Sequence, residues 1–191
     1  MNLLVLGPQG AGKGTQAKRI AAEYDVPHIS TGDRFRAEIA AGTEFGQRVQ
    51  SILAAGELVP DELTIEKLRE WLLAEGADGF VLDGYPRNLA QAEALDRLLK
   101  TLDKDLDAIF FFDLADDVAI ERLLRRAVEE NRPDDTPEVI ARRLAIYHDE
   151  TKPIVEHYRA TGKLVPLHAD RSVDEVWDEI QLALERVEAA A

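Results

Sequence analysis

Short, unbroken apolar runs alternate along this chain with longer stretches whose apolar residues recur at helical spacing. The runs predict strands at Leu3–Leu6, Val26–Ile29, Phe80–Leu82, Ala108–Leu114 and Leu164–Leu167. The periodic stretches predict helices over Lys13–Tyr24, Thr31–Ala41, Thr43–Ala55, Asn88–Leu102, Asp116–Arg126 and Ser172–Glu188. Within Asn88–Leu102, for example, Leu95, Leu98, Leu99 and Leu102 fall on one helical face. Another helix is expected from Pro60, a favourable first helical residue, to about Ala74. A longer one is expected from near Pro137, interrupted at Pro153 because an interior proline removes a backbone donor. The polar segment Glu129–Thr136 reads as a loop.

Apolar strands separated by helices indicate an α/β fold, with a five-stranded parallel sheet covered on both faces in three layers. Ligands of such sheets bind beyond the carboxyl ends of the strands. Three of the strands run directly into polar, glycine-bearing segments, Gly7–Thr15, Ser30–Arg36 and Asp83–Arg87, which would open onto that one edge. No internal repeat or low-complexity linker divides the 191 residues, so one domain with small insertions is expected.

Composition narrows the function classes. The net charge is −14, which argues against a nucleic-acid partner. The acidic excess reads as a solvated surface, with a salt-rich or hot habitat as the other reading. A protein of this charge that binds anions must gather its cations locally, so the positions of the 16 arginines matter. No apolar run approaches a membrane span, and the first run reads as a strand rather than a signal peptide. A cytoplasmic protein is expected, and nothing in the pattern asks for an obligate dimer, so a monomer is expected too. There is no cysteine, hence no disulfide and no thiolate zinc site. His28, His148, His157 and His168 are not at ligand spacing and read as structural, while Trp71 and Trp177 read as packing residues.

Gly7-Pro8-Gln9-Gly10-Ala11-Gly12-Lys13-Gly14-Thr15 follows a strand and opens a helix. Its glycines let backbone N–H groups form a concave anion nest, and the helix N-terminus adds partial positive charge. Lys13 can reach β- and γ-phosphate oxygens, and Thr15 can meet phosphate or lie near magnesium. The usual loop has Ser or Thr directly after the lysine; Gly14 intervenes here. Such a loop predicts a P-loop fold and a bound triphosphate, but it serves kinases, GTPases, ATPases and motors alike.

Other segments narrow the choice. Ile29-Ser30-Thr31-Gly32-Asp33-Arg34-Phe35-Arg36, Gly56-Glu57-Leu58-Val59-Pro60-Asp61, Leu82-Asp83-Gly84-Tyr85-Pro86-Arg87-Asn88 with Gln91, and Arg132-Pro133-Asp134-Asp135 with Arg142-Arg143-Leu144 follow the loop in order. Together they resemble the adenylate kinase family, in the short-lid form of nucleoside monophosphate kinases, over essentially the whole chain. A glycine after the P-loop lysine is normal there.

The resemblance implies a core of 1–29, 60–125 and 137–191, a monophosphate-binding insertion at 30–59 and a lid at 126–136. It implies ATP held by Gly10, Ala11, Gly12, Lys13, Gly14, Thr15, Arg122, Arg126 and Arg171. It implies AMP held by Thr31, Arg36, Glu57, Leu58, Val59, Gly84, Tyr85, Arg87, Gln91, Arg132 and Arg143. Thr31, which alone reads as a helix cap, would favour adenine over uracil. Asp83 would hold Mg²⁺ through water, and Asp134 and Asp135 would orient the arginines. Arg125 stands where the family often has glycine, which implies a stiffer hinge. Asn131 replaces another common glycine, a mild change because asparagine tolerates left-handed backbone. Ala169, Asp170 and Arg171 replace a frequent Asp-Gly turn. The short 129–136 segment implies no structural zinc.

Arg36 and Arg87 suit the paired hydrogen bonds that clamp a monophosphate. Phosphoryl transfer needs cations and donors rather than a covalent nucleophile. The expected catalytic set is therefore Lys13, Arg36, Arg87, Arg126, Arg132 and Arg143 with Mg²⁺. The expected reaction is ATP + AMP to 2 ADP, the balancing of adenine nucleotides. The alternatives are a UMP/CMP kinase and, from another class, a catalytically silent nucleotide-sensing module. A GTPase is disfavoured because no Asn-Lys-x-Asp segment is present.

Overall fold

A computed structural model describes residues 1–129, 132 and 135–190. Asn131 and Asp134, for which roles were anticipated, lie outside the described residues, as does Pro133. The strands are β1 (Asn2–Leu6), β2 (His28–Ser30), β3 (Phe80–Asp83), β4 (Ala108–Asp113) and β5 (Leu164–His168). They form one parallel five-stranded sheet in the order β2-β3-β1-β4-β5. The helices are α1 (Lys13–Glu23), α2 (Thr31–Ala40), α3 (Glu44–Ala54), α4 (Asp61–Glu75), α5 (Leu89–Thr101), α6 (Asp116–Glu129), α7 (Pro137–Ile146), α8 (Lys152–Arg159) and α9 (Val173–Ala190).

Side chains alternate across each strand, so one sheet supplies two cores. Leu3, Val5, Val81, Phe110 and Phe112 point into a layer closed by α1, α6 and α9 through Ile20, Leu123 and Ile180. Leu4, Leu6, Phe80, Leu82 and Ile109 point the other way, onto Leu68, Leu95 and Ile154 of α4, α5 and α8. β1, β3 and β4 are apolar except at an end residue, Asn2, Asp83 and Asp113, because both faces of the sheet are covered there. A third, smaller cluster of Phe35, Val49 and Val59 belongs to α2, α3 and the segment after them, and packs on Trp71 of α4.

Chain order runs from β1 outward to β2 and β3 on one side, and to β4 and β5 on the other. The order therefore switches at the central strand, and a crevice opens beyond the carboxyl ends there. β1 delivers the glycine loop into that crevice, and β3 delivers Asp83 and Gly84.

The elements agree with the sequence reading to within a few residues at their ends, β2 for instance running His28–Ser30 rather than Val26–Ile29, and four of the differences have a visible physical reason. Thr31 is the first residue of α2 rather than its cap; Ser30 caps, its hydroxyl accepting from Asp33 N–H at 3.4 Å. Ser30 is the last residue of β2 and keeps extended backbone, which is the geometry a cap requires. Pro60 stands one place before α4 and is likewise extended. α6 continues to Glu129, past the Arg126 expected as its end, because Ala127, Val128 and Glu129 contain no helix breaker. The interruption anticipated at Pro153 lies before it, as a π-helical turn over Tyr147–Thr151. Proline lacks an N–H and crowds the carbonyl four residues back, so the helix admits an extra residue upstream and restarts with Pro153 in the first turn of α8.

Three histidines join elements through carboxylates: His148 to Asp116 and His157 to Asp96, each at 2.8 Å, and His168 to Glu179 at 3.2 Å. Trp177 lies in the core beneath the Arg19 guanidinium, 4.7 Å from the ring centre. No helix among the described residues is long and apolar enough to cross a membrane.

Candidate active site

The glycine loop curls because Gly7, Gly10 and Gly12 adopt positive φ. At Gly7 a Cβ would sit 2.6 Å from the Phe112 carbonyl oxygen, so no other residue fits between β1 and β4. Lys13, the first residue of α1, folds back over the loop and donates to the carbonyls of Gly7 and Pro8 at 2.8 and 2.7 Å. Burial pulls its pKa down from 10.5 to about 8; nearby Asp83 resists the shift, and Arg87 and Arg126 add to it. Here a cation is held in partial opposition to its surroundings, which is how a group awaiting anionic charge would look.

Asp83 closes β3 opposite the loop, its Oδ2 3.5 Å from where a Gly14 Cβ would stand. His28 Nε2 lies 3.5 Å from the same oxygen, buried and without a hydrogen bond. His28 is thus beside the site, where sequence spacing gave no sign of it. A carboxylate at the mouth of a phosphate nest suits Mg²⁺, which keeps several waters and takes one or two carboxylates with phosphate oxygens.

Gly84 follows at φ +78, and a Cβ there would meet Thr31 Oγ1 at 2.8 Å. The Gly84 carbonyl accepts from Thr31 Oγ1 at 2.9 Å and from Arg87 Nε at 2.8 Å. Arg87 N–H donates to Gln91 Oε1 at 2.7 Å, and Gln91 Nε2 donates to Asp61 Oδ1 at 2.6 Å. Burial pulls Arg87 down to about 10, with Arg143 and Arg36 adding to it against Asp83; it stays charged at neutral pH. Arg36 is held by Asp33 at 2.5 Å. Partial burial pushes the Asp33 carboxyl up, but the Arg36 hydrogen bond and charge outweigh it and hold it below the usual range.

Asp135 is fully buried at its side chain and divides its oxygens. Oδ2 accepts from Arg126 Nε and Nη2 at 2.9 and 2.7 Å, and Oδ1 accepts from Arg143 Nη1 at 2.8 Å. One carboxylate therefore aims an arginine from α6 and one from α7. Arg122 is aimed from the other end, donating to the Ala169 carbonyl at 2.7 Å, and Arg171 donates to Glu179 at 2.6 Å.

These groups face one cleft of about 540 Å³. It brings together Gly10 to Thr15, Arg36, Glu57, Asp83 to Tyr85, Arg87, Arg122, Arg126, Arg132, Arg143 and Arg171. A small pocket of about 20 Å³ adjoins it, lined by Thr31, Leu58, Val59 and Gln91 among others, and Leu53, Gly84 and Arg87 belong to both. Every residue anticipated for a nucleotide lines one or the other.

A family model described as adenylate kinase matches residues 5–163. The chain belongs to the adenylate kinase family. Proteins named adenylate kinase from Xanthomonas euvesicatoria pv. vesicatoria (strain 85-10) and from Stenotrophomonas maltophilia (strain K279a) are 46% and 45% identical to it, over 97% and 96% of this chain and 100% and 99% of theirs. Like the family, it is a phosphotransferase on a P-loop α/β fold.

Adenylate kinase resemblance did not point to every residue now at the cleft. Lys18, Arg125, Tyr147 and Thr151 line the cleft, and Phe35, Leu53 and Thr64 line the small pocket. Lys18 and Arg125 could have been found from helical spacing, since each lies on a helix whose other residues were already placed at the phosphates. Tyr147 and Thr151 could not, because the π turn re-aims them. Glu57 pairs with Arg142, and Gly56 packs on Val139, whose Cγ1 is 3.1 Å from the position of a Gly56 Cβ; the segment after α3 thus rests on α7.

Proposed function

We propose that this protein catalyses reversible, Mg²⁺-dependent phosphoryl transfer between ATP and AMP, giving two ADP, and so balances the adenine nucleotides. The observation that carries the reading is the position of Arg87, shared by two adjoining pockets, with Lys13, Arg36, Arg126, Arg132 and Arg143 around the same cleft. The donor triphosphate lies along Gly10–Thr15 with its base beside Arg122 and Arg171. The acceptor base lies beside Leu58 and Val59, near Thr31, Gln91 and Glu57, where the small pocket, with room for about one water, must widen to take it. Its phosphate is clamped by Arg36 and Arg87.

The side chains in this scheme bind and orient; none becomes covalently attached. A monophosphate oxygen attacks the terminal phosphorus in line, and the ring of cations neutralises charge spread over the transferring group. When bound, Mg²⁺ supplies further neutralisation of the phosphate oxygens, and Asp83 is the residue that would hold it, through water. Asp135 fixes two of the arginines before any ligand arrives, so little reorganisation is left to the reaction itself. Closure of segments 30–59 and 126–136 over the cleft would exclude water that competes as acceptor. Opening of such lids often limits turnover, adenylate kinases being among the stock examples. The protein acts in the cytoplasm as a monomer on this reading, without nucleic acid or membrane.

A coupled assay with AMP, CMP, UMP and GMP tests the assignment. AMP should be preferred by at least tenfold in kcat/KM; equal or better use of UMP or CMP overturns the choice of base. Arg87→Ala should lower turnover about a hundredfold or more, as for loss of one preorganised donor, with the fold intact by circular dichroism. Normal turnover in that variant removes Arg87 from the scheme.

A further inference from the structure

Arg87 stands at the junction of the two pockets, so its aim must be set by protein before either ligand can use it. Two of its fixings are local. Gln91 Oε1 accepts from its N–H, and the Gly84 carbonyl accepts from its Nε. The third comes from far along the chain: Thr151 Oγ1 donates to the Arg87 carbonyl at 2.6 Å, across 64 residues.

That bond is not the ordinary behaviour of a helical threonine, whose hydroxyl commonly returns to a carbonyl of its own helix. Thr101 does so to Arg97 at 2.9 Å, and Thr64 to Pro60 at 3.1 Å. Thr151 is the last residue of the π turn, which adds a residue to the helical path, and it lines the cleft together with Tyr147. The Arg87 carbonyl needs such a donor. It precedes Asn88, the N-cap of α5, and the ladder of a helix begins at the carbonyl of its N-cap, so α5 provides nothing for it.

We propose that Thr151 is a positioning residue for Arg87, and that the π turn exists to present it. The inference rests on the reading of Arg87 as the phosphate clamp. Without the hydroxyl, the Arg87–Asn88 peptide loses the contact that fixes its plane. The guanidinium, four bonds of side chain away, then spreads over a wider range of directions. Transfer and use of the monophosphate suffer, whereas the donor site on the glycine loop is untouched. π turns within helices are often found at functional sites, and this one has an identifiable task.

The test is a double-mutant cycle on the full chain, with Thr151→Val, Thr151→Ser, Arg87→Ala and the combination of Thr151→Val with Arg87→Ala. Thr151→Val keeps the shape and removes the donor. It should lower turnover and kcat/KM for AMP by about fivefold, the scale of one hydrogen bond, with KM for ATP unchanged within about twofold. Thr151→Ser should restore activity to within about twofold. In the Arg87→Ala background, Thr151→Val should cost nothing further, because the group through which it acts is gone.

Wild-type kinetics in Thr151→Val overturn the proposal. So does failure of Thr151→Ser to recover, which would mark the methyl group rather than the hydroxyl as important. An equal cost of Thr151→Val in both backgrounds overturns it too, since the effect would not pass through Arg87. A Thr151→Val protein that does not fold contradicts it as well, because one positioning bond cannot carry the whole fold. Full turnover in Arg87→Ala alone is the distinct signature that the clamp reading itself has failed.

Discussion

Lys13 carries the most consequential single charge, and its environment makes it pH-sensitive. Only the protonated ammonium can pair with phosphate, and burial brings its pKa down to about 8. The kcat/KM for ATP should therefore fall as pH rises through about 8, since that quantity reports the free enzyme. The kcat profile should stay flat to higher pH, because bound phosphate favours the charged form. A kcat/KM profile flat to pH 10 contradicts the assignment. Stability should move the opposite way. The folded pKa lies below the unfolded value of 10.5, so between about 8 and 10.5 the unfolded chain binds more protons and stability rises with pH. At pH 7 the buried charge is a standing cost, and Lys13→Met should raise Tm by a few degrees while abolishing activity. An unchanged or lower Tm counts against a strained lysine. At this scale the glycine loop and Arg87 were legible because their chemistry is written in adjacent residues. Asp61 and Thr151 were not, since each acts on a partner distant in the chain.

Between elements, Asp135 is the fastening on which α6 and α7 converge. Its side chain is out of solvent and meets two guanidinium groups. Removing the buried carboxylate that two guanidinium groups share takes away their common counter-charge, a loss on the scale of about 3–5 kcal/mol. Asp135→Ala should therefore lose stability on that scale by urea unfolding, and should lose turnover because Arg126 and Arg143 are no longer aimed. A variant within about 1 kcal/mol of the parent would show that the arginines are held otherwise. Strands and most helices could be read from the sequence because a doubly covered sheet demands unbroken apolar runs. The π turn could not: one added residue barely disturbs an apolar pattern, and Pro153 drew attention to itself rather than to the turn before it. The extension of α6 was hidden differently: Ala127 and Val128 favour neither a stop nor a continuation strongly, and the polar segment from Glu129 drew the helix end back to Arg126.

For the molecule as a whole, the opposition is between an exterior of net charge −14 and a cleft lined with arginine. Such a surface opposes an anionic substrate at long range, while the cleft attracts it within a Debye length or so. The resolution is local concentration, with the cations gathered at the carboxyl edge of the sheet, where the strand order reverses. The small cluster of Phe35, Val49 and Val59 gives segment 30–59 a core of its own, as a part that closes on the rest would need. The sequence could suggest that this segment was an insertion; that it leans on α7 through Gly56 and Glu57 required the fold.

The measurement that bears most directly on the central claim is made with ADP alone. Purified, folded protein with Mg²⁺ and ADP should produce ATP and AMP in equal amounts, followed by phosphorus NMR, and Arg87→Ala should do so at least about a hundredfold more slowly. A folded protein that forms neither product under those conditions contradicts the account.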